Sequence, residues 1–255
     1  MQTSTLTLDD GRAIEYRFVG SRAASELELV MLHEGLGSTS MWRDFPDRLA
    51  AVTGARILVY SRIGYGRSSP LAQPRSVEYM HEEARTWLPE VLRRLGIGRP
   101  ILFGHSDGAS IALIHAAAPA SAARAVIALA PHVKVEDLTV TGIEKARKAY
   151  ATLRERLSRY HADVDGAFRG WNDIWLDPAF RAWNIEGLLP AIRCPVLAIQ
   201  GEDDEYGTLE QIASIARALP GTRTLALSRC RHSPQRDQPE AVIEATRAFI
   251  EALPA

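Results

Sequence analysis

Gly104-His105-Ser106-Asp107-Gly108 sets a serine in a Gly-x-Ser-x-Gly run between an apolar stretch, Ile101-Leu102-Phe103, and the Ala-rich stretch from Ala109 to Ala118. The first, entered from the Gly98-Arg99-Pro100 turn, reads as a buried strand, and the second favours helix. The glycines allow a corner too tight for a Cβ, so the serine hydroxyl is presented at the end of a sheet. A serine hydroxyl is a weak nucleophile at neutral pH and needs a base and a group that orients the base. Acids follow the run Ala198-Ile199-Gln200 in Gly201-Glu202-Asp203-Asp204, at a strand's carboxyl end, where open α/β sheets build their sites. Farther on, Arg229-Cys230-Arg231-His232-Ser233-Pro234 carries the one histidine that follows His161. The chain order is serine, acid, histidine.

Those residues need a frame. Residues 3 to 8 and 13 to 19, separated by Asp9-Asp10-Gly11, predict an antiparallel hairpin, because Asp-Gly supplies the positive φ of a tight turn. Apolar runs at 27–32, 57–60, 101–103, 125–129, 196–199 and 224–227 alternate with helical patterns near 41–52, 77–95, 107–118, 208–219 and 238–252. That alternation predicts a mostly parallel sheet covered on both faces. Pro89 falls inside the second helical pattern and predicts a kink or break. Asp237-Gln238-Pro239-Glu240 resembles a capping box for the closing helix. Between Pro131 and Pro190 the rhythm fails, and two or three helices are expected. There Phe168, Trp171 and Trp175 share one helical face and Trp183 follows, aromatics that either pack this segment on the body or line a pocket.

Over essentially its whole length the chain resembles the α/β-hydrolase-fold serine hydrolases, in which the order Ser106, acid, His232 is the expected one. The resemblance implies an eight-stranded, mostly parallel sheet flanked by helices, with a core of 1–131 and 191–255 and a helical lid of 132–190 inserted after the sixth strand. The family's acid lies three residues after the glycine of a Gly-x-x-Asp loop, which maps onto Asp204, with Asp203 as the fallback. The elbow supplies the backbone N–H of Asp107 to an oxyanion. Leu32-His33-Glu34-Gly35-Leu36-Gly37-Ser38 resembles the family's His-Gly-x-Gly loop with one glutamate inserted, which makes Leu36 the second donor and Gly35 its alternative. Gly64-Tyr65-Gly66-Arg67-Ser68 resembles a structural loop of the same family, but begins Ser61-Arg62-Ile63-Gly64 instead of Asp-x-Arg-Gly.

The implied reaction is hydrolysis of a carboxylic ester of small or medium acyl size, with substrate contacts from Gly35, Asp107, Trp171 and Trp175. Two branches are similar in part. Ser106-Asp107-Gly108 and the stretch with Val135-Glu136-Asp137 and Gly142-Ile143 resemble valacyclovir hydrolases, where the acid beside the nucleophile reads an amino-acid ester's ammonium. The alternative for the Asp107 side chain is to point away or cap the following helix. C-C bond hydrolases share the triad and an aromatic lid but take anionic substrates, for which Arg62, Arg67 or a lid arginine would supply charge. Thioesters and lactones stay open, as does a non-catalytic small-molecule sensor on the same fold.

Composition narrows the classes further. Across 255 residues, 30 basic and 31 acidic side chains leave a net charge of −1, no attraction for nucleic acid or an anionic membrane surface. Cys194 and Cys230 are too few for a disulfide framework, and both are expected as small buried hydrophobes. No histidine spacing suits a metal, so neither metal nor cofactor is expected. His33 is expected to stiffen its loop, His105 to shape the elbow, and His81, His115 and His161 to be helical. Met1-Gln2-Thr3-Ser4-Thr5 lacks a basic and apolar leader pattern, and no apolar run reaches membrane-spanning length, so the expected location is cytoplasmic. Oligomeric state is left open.

Overall fold

Eight strands pair into one sheet in a computed structural model that describes residues 2–20 and 27–254. Its strands are β1 (Ser4–Thr7), β2 (Ala13–Val19), β3 (Glu28–Leu32), β4 (Arg56–Tyr60), β5 (Ile101–His105), β6 (Ala125–Leu129), β7 (Val196–Gly201) and β8 (Arg223–Leu227). The spatial order is β1-β2-β4-β3-β5-β6-β7-β8, with β2 antiparallel to both its neighbours and every other pairing parallel. Parallel central strands are buried on both faces, which is why they read as unbroken apolar runs. Successive residues face opposite layers: Val30, Leu32, Leu102 and Ala128 enter one apolar core, and Leu29, Met31, Phe103 and Ile127 the other.

The helices are α1 (Phe45–Thr53), α2 (Tyr79–Glu82), α3 (Leu88–Arg94), α4 (Asp107–Ala116), α5 (Asp137–Lys148), α6 (Tyr150–Leu157), α7 (Val164–Trp175), α8 (Glu210–Ala218), α9 (Pro234–Asp237) and α10 (Pro239–Glu251). Helix α4 packs on β5 and β6 on one face, and α1 packs with α10 on the other. Three α-helices and two 3₁₀ turns fill the segment between β6 and β7. Among the described residues, no helix is long and apolar enough to cross a membrane.

Four expectations are corrected. Of the kink or break expected at Pro89, the break does not occur: a π-helical turn over Glu83–Trp87 runs directly into α3. Gln238 flanks α10 without a side-chain cap, because the Asp237 carboxylate instead accepts the Arg231 N–H at 3.1 Å and ties down the loop holding His232. His161 lies between α6 and α7 and is not helical. Cys230 is buried, but Cys194 is only half-buried.

Candidate active site

Strand β5 ends at His105 and α4 begins at Asp107, leaving Ser106 on the corner with φ 53° and ψ −119°. A non-glycine residue holds such left-handed backbone at a cost of about 1–3 kcal/mol, and only where its surroundings impose it. Here the Ser106 N–H donates to the Leu129 carbonyl at 2.9 Å. Helix α4 also crosses β3 so closely that a Cβ at Gly108 would lie 2.0 Å from the Leu32 carbonyl oxygen. Those contacts force the corner that aims the hydroxyl.

Because β7 and β8 are parallel neighbours, paired Gly201 with Leu227, the loops carrying Asp204 and His232 leave the same edge of the sheet as Ser106. His232 Nε2 stands 3.0 Å from Ser106 Oγ, and its Nδ1 lies 2.8 and 2.9 Å from the two Asp204 oxygens. With Nδ1–H donating to Asp204, Nε2 is the acceptor for the serine proton. Asp204 also accepts from Gln200 Nε2 and from the Tyr206 and Gly207 N–H groups, whereas Asp203 is exposed. Burial pushes the His232 imidazole down, but the Asp204 charge and hydrogen bond outweigh it and leave it raised above 6.5. Burial pushes Asp204 up, and contact with His232 and the Tyr206 N–H brings it below the usual carboxylate value.

The neighbouring histidines hold loops. His105 Nε2–H donates to the His232 carbonyl at 2.7 Å, joining the elbow to the histidine loop. His33, fully buried, donates from Nδ1 to the Glu34 carbonyl and accepts the Arg62 N–H at Nε2. His161 accepts the Gly66 N–H at Nδ1 and donates from Nε2 to the Leu36 carbonyl at 3.0 Å, fixing the loop after β3 to the loop after β4. Leu36 and Asp107 both border the cavity beside Ser106, and the Leu36 N–H makes no hydrogen bond among the described residues.

That cavity has a volume of about 120 Å³ and brings together Ser106, His232, Gly35, Leu36, Asp107, Trp171 and Trp175. The Trp171 ring packs directly on Gly35, so the α7 aromatics both pack and line; Phe168 and Trp183 do not border the space. The Asp107 side chain does not cap α4. Its buried carboxylate accepts the Tyr79 hydroxyl at 2.8 Å and the Trp175 indole N–H at 3.3 Å, with Arg62 3.8 Å away. Arg62 is buried, Arg67 is exposed, and among the described residues no lysine or arginine lines the cavity. Among the described residues no cluster of three or more His, Cys, Asp or Glu could hold a metal ion.

Sequence reasoning missed Glu34, His132, Thr139, Ile143 and Tyr206, which complete the wall. His132 is 2 % exposed, its Nδ1 has no hydrogen-bond partner among the described residues, and burial followed by the nearby His232 pushes its imidazole down to about 3. A usable signal existed for two of them: Glu34 and His132 stand just after β3 and β6, at strand carboxyl ends.

The structure superposes on a membrane phospholipase A with a TM-score of 0.82 at 18% identity, covering 99% of this chain and 86% of that one. It likewise matches an enol-lactonase from Burkholderia xenovorans with a TM-score of 0.77 at 22% identity, covering 97% and 100%. In sequence, a proline iminopeptidase of Lactiplantibacillus plantarum is 45% identical over 60 residues, which is 24% of this chain and only 21% of that protein. The matched stretch is thus a minor part of that relative. A model of the Alpha/beta hydrolase family matches residues 29–245, from β3 into α10, and with the strand order and the elbow already in place this chain belongs to that family.

Proposed function

We propose that the protein is a serine hydrolase that cleaves a carboxylic ester of a small or medium acyl group through an acyl-enzyme. The observation that carries this reading is the line from Ser106 Oγ through His232 to Asp204, at 3.0 Å and 2.8 Å. Ser106 Oγ attacks the acyl carbon while His232 Nε2 takes its proton and passes it to the leaving alkoxide. Asp204 holds the Nδ1–H tautomer and stabilises the imidazolium. The N–H groups of Asp107 and Leu36 receive the oxyanion. Water, activated by the same histidine, then releases the acid and restores the serine. We place residues 132–190 as a lid over this site, since Trp171 and Trp175 of α7 and Thr139 and Ile143 of α5 border the cavity.

A second reading, an amino-acid ester hydrolase, is favoured by a cavity bordered by Glu34 and Asp107 and, among the described residues, by no lysine or arginine. The same charge pattern disfavours the anionic substrates of C-C hydrolases. Turnover of p-nitrophenyl acetate and butyrate tests the main reading against a sensor. Ser106→Ala and His232→Ala should each lose about 10³-fold or more of kcat, with circular dichroism unchanged. Full activity in Ser106→Ala refutes the mechanism.

A further inference from the structure

Glu34 borders the same cavity as Ser106 yet hydrogen-bonds to neither Ser106 nor His232. Its side chain is 25% exposed. Oε2 lies 3.4 Å from His105 Nδ1, a nitrogen that already receives the Gln235 amide at 3.0 Å, and Oε1 has no partner among the described residues. The carboxylate is folded over Gly37, where a Cβ would fall 2.5 Å from Oε2. At neutral pH a partly exposed glutamate carboxyl such as this one is an anion.

The cavity's other acid is differently placed. Both Asp107 oxygens already accept hydrogen bonds, from Tyr79 and Trp175, and Arg62 stands 3.8 Å away. A cation arriving in the cavity therefore meets one carboxylate already partnered and one with an open oxygen. Trp171, packed on the neighbouring Gly35, also borders the cavity.

We infer that Glu34 binds a protonated amine on the acyl half of the substrate, which makes the substrate class amine-bearing acyl esters such as aminoacyl esters. The acyl half follows from position: Glu34 is two residues before Leu36, whose N–H receives the acyl oxygen. This inference rests on the serine-hydrolase reading, and it assigns ammonium recognition to Glu34 in place of Asp107.

The test is the ratio of kcat/KM for alanyl and propionyl p-nitrophenyl esters, corrected for spontaneous hydrolysis, because the pair differs by one ammonium and general losses of activity cancel. The expected wild-type preference is for the alanyl ester. Glu34→Gln should cut that ratio about ten-fold or more, the scale of one hydrogen bond between charged groups. Asp107→Asn should leave the ratio within about two-fold, since its partnered carboxylate adds little. An unchanged ratio in Glu34→Gln, even with both rates lowered, overturns the inference and makes Glu34 a loop residue. A wild type that labels at Ser106 with a fluorophosphonate but shows no alanyl preference overturns this inference alone. Failure of both labelling and turnover removes the serine-hydrolase reading as well.

Discussion

Asp203 and Asp204 are adjacent acids in one loop, yet only Asp204 turns inward to His232, while Asp203 is exposed. Their substitution should therefore differ sharply. Asp204→Asn is expected to lower kcat by roughly 10⁴-fold, because an amide no longer secures the Nδ1–H tautomer; Asp203→Asn should stay within about two-fold, as exposed loop substitutions do. The pH profile gives a second readout. A general base works deprotonated, so kcat/KM should fall as pH drops through the His232 pKa. Asp204 raises that pKa above 6.5, and the acid limb should move down in Asp204→Asn. Stopped assays across pH 5 to 9 check both the position and the direction of that limb. At this scale Ser106 and His232 were legible because few residues could do their work. Glu34 was read only as an insertion, since its place on Gly37 and beside His105 depends on loops that meet in space.

Strands were the most legible elements. The run 125–129 coincides with β6, and the hairpin around Asp9-Asp10-Gly11 joins β1 to β2, because continuous burial and turn chemistry are written in neighbouring residues. The position of His161 was not, because it answers to partners distant in the chain. His161 joins Gly66 N–H to the Leu36 carbonyl across two loops. If the Leu36 amide receives the oxyanion, loosening this tie misplaces a donor that acts chiefly in the transition state. His161→Ala should then lower kcat on a neutral ester about ten- to a hundred-fold with little change in KM. Steady-state kinetics on p-nitrophenyl acetate separate this from a binding defect, which would raise KM alone.

At the scale of the whole molecule, the sheet delivers three loops to one edge, and residues of α5 and α7, from the segment between β6 and β7, border the cavity there. The resulting cavity of about 120 Å³ lies well below the range of roughly 300–1,000 Å³ that holds a drug-sized ligand. Size selection then falls to α7, and Trp171→Ala should shift the preferred p-nitrophenyl ester from acetyl or propionyl towards hexanoyl and longer chains. An unchanged chain-length profile would place the acyl group elsewhere. The alternation of strands and helices made the sheet legible, but not which α7 aromatics reach the cavity, because one apolar helix face serves packing and lining alike. The central claim is that Ser106 is a nucleophile made reactive by His232. Fluorophosphonate labelling, with the modified residue mapped by mass spectrometry, tests it without choosing a substrate. The account expects rapid, stoichiometric modification at Ser106 that is lost in His232→Ala; folded protein that remains unlabelled, or labelling at Ser106 that persists undiminished without His232, contradicts it.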